Sequence, residues 1–322
     1  MYLVKKKYLL IVLGITLCII IAFAFYSIGK NNGIVFGNNK QTSEQNQKAN
    51  EYNLLAKRIF IDNPNDIRVN FSGLRNQLNN YFANNNLAGG NLYFEYLPTG
   101  TSVRISGEEH LVAASLMKVP VAMNAYKAAE LGKVDLQKMV TIEPEWIDAN
   151  YGQLYKKGAG YSLSIEDAIE IMLKDSDNTA LKLVGAQLEG ALPKDESSLN
   201  YLDIDLTVNQ DGSISLDSKN YSSLLKCLYF SCYNNISDSQ KILEHLTNSS
   251  FKSRLVAGVA DKNIKIAHKI GTNSNNNQSD CGIFYIPKRN YVVCAMIPGN
   301  DSKETNAHFA NISKIIYDFV NR

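Results

Sequence analysis

Helix-like and strand-like segments follow one another in blocks along this chain, and their order constrains the fold more than any other feature. A helical pattern covers residues 66–86, and two strand-like segments follow at residues 92–97 and 101–105. A long block of helical patterns comes next, and strand-like segments return after residue 263. Strands from both ends of the chain therefore complete one sheet, which predicts an α+β fold with an antiparallel sheet flanked by helices.

The middle block has the start and stop signals of several helices. Ser115 begins a helix that we expect to end near Gly132. Ser164 begins a second helix, because a capping-box-like sequence precedes an apolar face formed by Ile165, Ala168, Ile169, Met172 and Leu173. Further helices are predicted at residues 221–229 and 237–246. These patterns indicate an all-helical subdomain at about residues 108–251.

The last part of the chain is strand-like again. Strands are predicted at residues 264–272, 281–286 and 291–297, with a hairpin turn at residues 287–290. Phe309, Ile312, Ile316 and Phe319 then follow helical spacing and predict a closing helix.

The first 51 residues differ from the rest in composition. Three lysines at positions 5–7 precede an uncharged, mostly apolar run at residues 8–28, which is long enough to span a bilayer. Because basic residues stay on the cytoplasmic side, we expect residues 1–30 to be a single-pass cell-membrane anchor with the rest of the chain outside. Ala22-Phe23-Ala24 resembles a cleavage site, so a signal peptide that is removed from a secreted protein is the alternative.

The remaining sequence divides into a linker and one folded domain. Residues 31–51 are rich in Asn, Gln, Ser and Lys and predict a flexible linker, which leaves residues 52–322 as the domain. The chain has 33 basic and 31 acidic residues. Such a balance creates no field that would attract nucleic acid, so we exclude that class of partner.

The cysteines and histidines do not indicate a metal site. Four cysteines lie beyond the apolar run, and an exported location permits disulfides between them: Cys227, Cys232, Cys281 and Cys294. Three pairings are possible, and the sequence does not choose among them. Neither these cysteines nor the four histidines have metal-ligand spacing. We therefore expect no metal and no organic cofactor.

Three short motifs have the residues for nucleophilic catalysis. In Ser115-Leu116-Met117-Lys118, the lysine lies one helical turn after the serine, so its amine can reach the hydroxyl and act as a base. Ser176-Asp177-Asn178 follows a helix, where a loop can project polar groups into a cleft. Lys269-Ile270-Gly271-Thr272 lies on a predicted strand. Each motif alone is weak, since serine begins many helices and lysine is common on surfaces.

Together the motifs resemble the signature of class A β-lactamases and penicillin-binding proteins. The first two motifs begin 61 positions apart and the last two 93 apart, and the resemblance covers roughly residues 66–322. It implies the β-lactamase/transpeptidase-like fold and an extracytoplasmic serine hydrolase. Such an enzyme would form an acyl-enzyme with a β-lactam or a related cell-wall amide.

The motif residues then have definite expected roles. Ser115 would attack a carbonyl carbon, and Lys118 in its neutral form would take the serine proton. A second cation, Lys269, would lower the pKa of Lys118. Ser176 would pass a proton to the leaving nitrogen, and Asn178 would hold both Lys118 and a substrate amide by hydrogen bonds.

The resemblance also implies an oxyanion hole, formed by the backbone N–H groups of Ser115 and Thr272. Gly271 suits this arrangement, because a bare backbone lets substrate lie against the strand. Asp177 is expected to brace its loop rather than react. His268 precedes Lys269, but no Gly-x-Ser-x-Gly elbow accompanies it, so we do not assign a Ser-His-Asp triad.

Two positions depart from the family pattern. Efficient class A β-lactamases use a glutamate in a Glu-x-x-Leu-Asn sequence to activate the deacylating water. The same pattern occurs here at Glu196, but only 20 positions after Ser176, which is too early for the family register. Ile270 stands where the family has a hydroxyl that binds the substrate carboxylate, and isoleucine cannot donate that hydrogen bond. The Thr272 hydroxyl or a further cation would have to compensate.

The departures leave two alternatives to an efficient β-lactamase. The first is a penicillin-binding D,D-carboxypeptidase or transpeptidase that acts on peptidoglycan peptides and deacylates slowly. The second is a cell-surface binding module that keeps the fold without turnover. For either enzyme, the expected substrate is a small molecule or a peptidoglycan peptide. The N-terminal helix is expected to bind the membrane.

Overall fold

The computed structural model describes Leu54 and residues 70–107, 109–274 and 276–322, all within the compact unit Tyr52–Arg322. The predicted anchor at residues 1–30 and the predicted linker at residues 31–51 lie outside the described residues. Within the described ranges, every helix is too short or too polar to cross a membrane.

In the described ranges, ten strands form three antiparallel sheets. They are β1 (Asn91–Tyr96), β2 (Thr101–Ile105), β3 (Leu111–Val112), β4 (Met139–Thr141), β5 (Ser162–Ser164), β6 (Thr207–Val208), β7 (Ile214–Leu216), β8 (Lys265–Asn273), β9 (Asn277–Tyr285) and β10 (Tyr291–Pro298). The main sheet has the order β2-β1-β10-β9-β8, so β8 is an edge strand. Both ends of the chain contribute to it, as the sequence predicts.

Eight helices complete the described fold. They are α1 (Ser72–Asn84), α2 (Lys118–Glu130), α3 (Ile165–Lys174), α4 (Asn178–Leu188), α5 (Ser198–Tyr201), α6 (Ser218–Phe230), α7 (Ile236–Thr247) and α8 (Lys303–Val320). Helix α1 matches the described part of the helix predicted at residues 66–86. The predicted α+β class, with an antiparallel sheet and helices, is confirmed. The block at residues 108–251 is mainly helical, but it also contains the short strands β3 to β7.

The main sheet has a hydrophobic core on each face. Along β10, Tyr291, Val293, Ala295 and Ile297 pack into a core shared with α1 and α8. The alternate residues of β10 face the core of the helical block, and they are Val292, Cys294 and Met296. Because both faces are buried, the strand is apolar at every position, which explains its strong signal in the sequence.

The helices of the middle block follow their sequence signals closely. Ser164 Oγ accepts a hydrogen bond from Asp167 N–H at 3.0 Å and caps α3, whose predicted apolar face is buried. Helix α2 ends at Glu130, and Gly132 takes the left-handed conformation with φ +68°. The chain then turns toward β4.

Other segments differ from the expectation. Strand β9 begins at Asn277, four residues before the predicted start, because four polar residues, Asn277, Gln278, Ser279 and Asp280, are buried in the ladder. The small sheet with the order β3-β7-β6 has no clear sequence signal. The disulfides join Cys227 to Cys232 and Cys281 to Cys294, which selects one of the three possible pairings.

Candidate active site

Ser115 lies in a 3₁₀ turn, Ala114–Met117, that continues directly into α2. Ala114 has a left-handed backbone with φ +47°, an uncommon conformation for a residue with a Cβ atom. The hydroxyl of Tyr221, which is fully buried on α6, donates a hydrogen bond of 3.1 Å to the Leu116 carbonyl. These features fix the turn and leave the Ser115 side chain partly exposed.

Lys118 is the first residue of α2 and connects the first two motifs. Its side chain is 1% exposed. Its ammonium Nζ donates to Ser115 Oγ at 2.8 Å, to Asn178 Oδ1 at 2.8 Å, to the Ser176 carbonyl at 2.9 Å and to Ser176 Oγ at 3.3 Å. The predicted contact between the serine and lysine of the first motif is therefore present.

Burial lowers the pKa of Lys118 to about 8, although the negative charges of Asp177 and Asp148 act in the opposite direction. With such a pKa, about one Lys118 side chain in ten is neutral at pH 7. Lys118 can therefore be both a donor and a base near neutral pH.

Lys269 on β8 extends the same hydrogen-bonded chain. It is 1% exposed, and its Nζ donates to Ser176 Oγ at 2.9 Å and to the Ile270 carbonyl at 3.0 Å. Burial, followed by repulsion from Lys118, holds the pKa of Lys269 well below its usual value. The sequence predicts that the charge of Lys269 lowers the pKa of Lys118. The structure corrects this, because burial is the main cause at both lysines.

Ser176 and Asp177 lie in the short turn between α3 and α4. Ser176 is fully buried and has a left-handed backbone, with φ +55°. The buried Asp177 carboxylate accepts hydrogen bonds from the backbone N–H groups of Ala180, Gln153 and Leu154 at 2.9, 2.7 and 2.8 Å. It thereby caps α4 and holds the start of the 3₁₀ turn Leu154–Lys157. The expected bracing role of Asp177 agrees with these contacts.

Asn178 completes the polar cluster at the start of α4. Its Oδ1 accepts from Lys118, and its Nδ2 donates to Asp148 Oδ1 at 3.4 Å. Its backbone N–H donates to the Tyr151 carbonyl at 3.1 Å. The amide therefore lies between a cation and an anion.

Strand β8 approaches the 3₁₀ turn Ala114–Met117, which we call the nucleophile turn because it contains Ser115, and it does so at Gly271. A Cβ atom at this position would lie 2.6 Å from the Ala113 carbonyl oxygen and 3.0 Å from Leu116 Cγ. Glycine is therefore required for the contact between strand and turn, which adds a packing reason to the substrate-binding reason expected from the sequence. Thr272 follows on the same edge strand.

The structure adds Arg254, which no sequence motif identified. Its guanidinium is 2% exposed and donates to the carbonyls of Gly271 and Ser279 at 2.9 and 2.7 Å, and to Thr272 Oγ1 at 3.0 Å. It also donates to Gln278 and Asn306 and pairs with Asp301. Arg254 follows a loop after α7, so only the tertiary fold brings this cation to β8.

Two other candidates lie apart from the cluster. His268 Nδ1 is 2.9 Å from Asp280 Oδ1, and neither residue is among the described contacts of Ser115, which agrees with the rejection of a triad. Glu196 is exposed on a 3₁₀ turn, where its carbonyl accepts from Tyr233. The described hydrogen bonds of Lys118 include no contact with the Glu196 carboxylate.

A partly exposed serine, Ser115, joined by hydrogen bonds to the buried Lys118, Ser176 and Lys269 between an edge strand and a helical block, defines a serine hydrolase of the β-lactamase type. A family model described as the "Beta-lactamase enzyme family" matches residues 73–320. The chain therefore belongs to the β-lactamase enzyme family.

Individual relatives are distant in sequence. Beta-lactamase VEB-1 of Pseudomonas aeruginosa is 22% identical over 244 residues, which are 68% of this chain and 81% of that protein. An acyl-enzyme complex of a PBP-A mutant with penicillin G matches with a TM-score of 0.70 and 22% identity over 78% of this chain and 97% of that chain. A β-lactamase from Sphaerobacter thermophilus has a TM-score of 0.68 at 18% identity, with coverage of 78% and 98%. These structures show that the fold is shared.

Proposed function

We propose that this protein is an extracytoplasmic serine hydrolase in which Ser115 forms an acyl-enzyme with a β-lactam or a related cell-wall amide. The observation that carries the proposal is the Lys118 amine, 2.8 Å from Ser115 Oγ and with its pKa lowered to about 8. A base of this kind is what a serine hydroxyl needs to become a nucleophile at neutral pH. The apolar run at residues 8–28 supports the location outside the membrane.

In the acylation step, Ser115 Oγ bonds to the carbonyl carbon while its proton moves to neutral Lys118. The carbon–nitrogen bond then breaks, and the leaving nitrogen takes a proton from Ser176. Lys118 Nζ, 3.3 Å from Ser176 Oγ, returns a proton to that hydroxyl. Lys269, 2.9 Å from the same oxygen, stabilises negative charge that develops there.

The N–H groups of Ser115 and Thr272 are the proposed donors to the carbonyl oxygen as it becomes an oxyanion. The contact at Gly271 supports this assignment, because it holds the edge strand against the nucleophile turn. Donors fixed in position before the reaction need no rearrangement as charge develops.

A substrate carboxylate can be bound without a hydroxyl at position 270. Arg254 donates to Thr272 Oγ1, so the hydroxyl hydrogen of Thr272 remains available to another acceptor. Arg254 also supplies positive charge behind this hydroxyl. The two residues together would compensate for Ile270, which supports a substrate with a carboxylate, as penicillins have.

The position of Glu196 favours slow deacylation as a second candidate property. Its side chain is exposed, and the described contacts of Lys118 and Ser115 include no carboxylate that accepts a hydrogen bond from either residue. Without a base for the hydrolytic water, the acyl-enzyme would persist. This supports the penicillin-binding carboxypeptidase or transpeptidase over an efficient β-lactamase.

Intact-protein mass spectrometry of the full chain with a penicillin tests the proposal. We expect an adduct on Ser115 that Ser115→Ala abolishes and that Ser223→Ala, a change of a partly exposed serine on α6, leaves intact. Rapid loss of the adduct would indicate a β-lactamase, and persistence a penicillin-binding enzyme. If the wild-type protein neither forms an adduct nor consumes penicillin, the β-lactam substrate is wrong, and a different acyl substrate or the binding module is favoured.

A further inference from the structure

Asp148 is a charged neighbour of the active-site cluster that belongs to none of the three motifs. It lies in the loop between β4 and β5, and its side chain is 15% exposed. Thr179 Oγ1 accepts a hydrogen bond from its backbone N–H at 3.0 Å. Its Oδ1 accepts from Asn150 N–H at 3.0 Å, and its Oδ2 is 3.2 Å from Lys182 Nζ. Asp148 is therefore held firmly in one orientation.

The carboxylate faces the Nδ2 end of the Asn178 amide. Asn178 Nδ2 is 3.4 Å from Asp148 Oδ1, while Asn178 Oδ1 is 2.8 Å from Lys118 Nζ. A carboxylate accepts hydrogen bonds and cannot donate them, so it selects the nitrogen end of an amide. The opposite charges of Lys118 and Asp148 thus define which way the amide points.

We propose that Asp148 is a positioning residue for acyl transfer, which keeps Asn178 Oδ1 directed at Lys118 when Lys118 is neutral. The inference rests on the proposed function, because that function requires Lys118 to act as a base.

The need for such a residue follows from the chemistry of the amine. Protonated Lys118 holds Asn178 Oδ1 by donating to it. Neutral Lys118 has a lone pair, and an unrestrained Asn178 could rotate and donate Nδ2–H to that lone pair. The lone pair would then be unable to take the Ser115 proton. Because Asp148 retains Nδ2, the lone pair stays directed toward the serine.

The same contact has an electrostatic effect on the base. Three charged side chains act on Lys118 from neighbouring elements: Asp177 between α3 and α4, Asp148 in the β4–β5 loop and Lys269 on β8. The two carboxylates favour the protonated form of Lys118, so neutralising Asp148 lowers the Lys118 pKa. A residue that only stabilised the loop would not change this pKa.

The test compares the full-length wild-type protein with Asp148→Asn, using the second-order rate constant for acylation by a fluorescent penicillin across pH. For Asp148→Asn we expect the maximal constant to fall about tenfold, the size of one hydrogen bond to a charged group. We expect the acid limb of the profile to move about half a unit to lower pH. Asp318→Asn, the same charge change on the exposed face of α8, should change neither quantity.

Asp148→Glu keeps the charge on a longer side chain, and its acid limb should remain near the wild-type pH. An Asp148→Asn protein with an unchanged constant would overturn the inference. A lower constant with an unmoved acid limb would also overturn it, because that result indicates loop stabilisation alone. If Asp148→Asn does not fold, Asp148→Glu decides the question: an acylation maximum below one-hundredth of wild type overturns the inference, and a smaller loss supports it.

A second readout does not depend on acylation. Lysine ¹³Cε signals of the resting full chain, with Lys118 assigned through Lys118→Arg, report the Lys118 pKa in each variant. A lower value in Asp148→Asn supports the contact even if penicillin never acylates the wild-type protein, and an equal value overturns the inference. Absence of wild-type acylation would count against the proposed function alone.

Discussion

The two faces of the main sheet differ in the kind of side chain that they bury. On one face an aromatic cluster, formed by Phe71, Phe94, Tyr96, Phe284 and Tyr291, has ring centroids 4.7 to 5.5 Å apart. On the other side of the fold, Lys118 and Lys269 are each 1% exposed beside Ser115 and Ser176. Aromatic packing stabilises a fold, whereas two neighbouring buried cations destabilise it. The aromatic cluster therefore stabilises the fold, and this stability allows the two buried lysines to be held beside Ser115, where they make the site reactive.

The largest expected effect concerns Lys118→Met. Loss of the base should lower the acylation rate constant by about 10³-fold, within the usual range for general-base catalysis. The free energy of unfolding should change by no more than about 1 kcal/mol, because methionine fills a similar volume and removes a buried charge. Penicillin labelling and urea denaturation measure the two quantities. A large loss of stability would show that Lys118 is a structural residue as well.

Phe94→Ala should have the reverse profile. Truncation of this fully buried ring, which contacts Phe71 and Tyr291, should lower the free energy of unfolding by about 3–5 kcal/mol. The acylation rate constant per folded molecule should remain within about twofold of wild type, since the cavity lies on the far face of the sheet. A tenfold loss of acylation in the folded fraction would contradict the separation of the two regions.

Asp177→Ala changes a residue that should affect both the stability of the fold and the rate of acylation. The change leaves the N–H groups of Gln153, Leu154 and Ala180 without their carboxylate, and should lower the free energy of unfolding by about 2–3 kcal/mol. It should also slow acylation, because Ser176 and Asn178 adjoin it. Asp177→Asn, which retains one acceptor oxygen, should have a smaller effect on both. Slower acylation with an unchanged free energy of unfolding would show that acylation depends on the negative charge of Asp177 and not on its hydrogen bonds to the loop.

The sequence predicts the elements of the fold better than their contacts. Helix α3 could be predicted because its cap and its apolar face are local properties of Ser164 and the residues after it. The three motifs could be brought together because their spacing matches a known family. The register of β9 and β10, and with it the Cys281–Cys294 pairing, depends on the hairpin connection, which spans residues 286–290 where the sequence predicts a turn at residues 287–290.

Arg254 and Asp148 could not have been identified in the same way. Both lie in segments between regular elements, where no periodicity constrains them. Arg254 meets Thr272 across 18 positions of sequence, and Asp148 meets Asn178 across 30. Their roles come from the tertiary contacts of a charged group with the polar atoms around it, and neither is part of a local signal.

The contact at Gly271 bears on how readily the protein can evolve a new ligand preference. Gly271 lies against the Ala113 carbonyl oxygen and the Leu116 side chain there, so the approach of β8 to the turn that holds Ser115 depends on the absence of a side chain at position 271. Two partly exposed aromatic rings lie near the polar cluster: the centroids of Tyr151 and Phe251 are 6.0 Å apart, and Lys269 Nζ is 5.9 Å from the Phe251 centroid. A substitution at Phe251 would therefore also act on Lys269, so ligand preference and chemistry are coupled at this position.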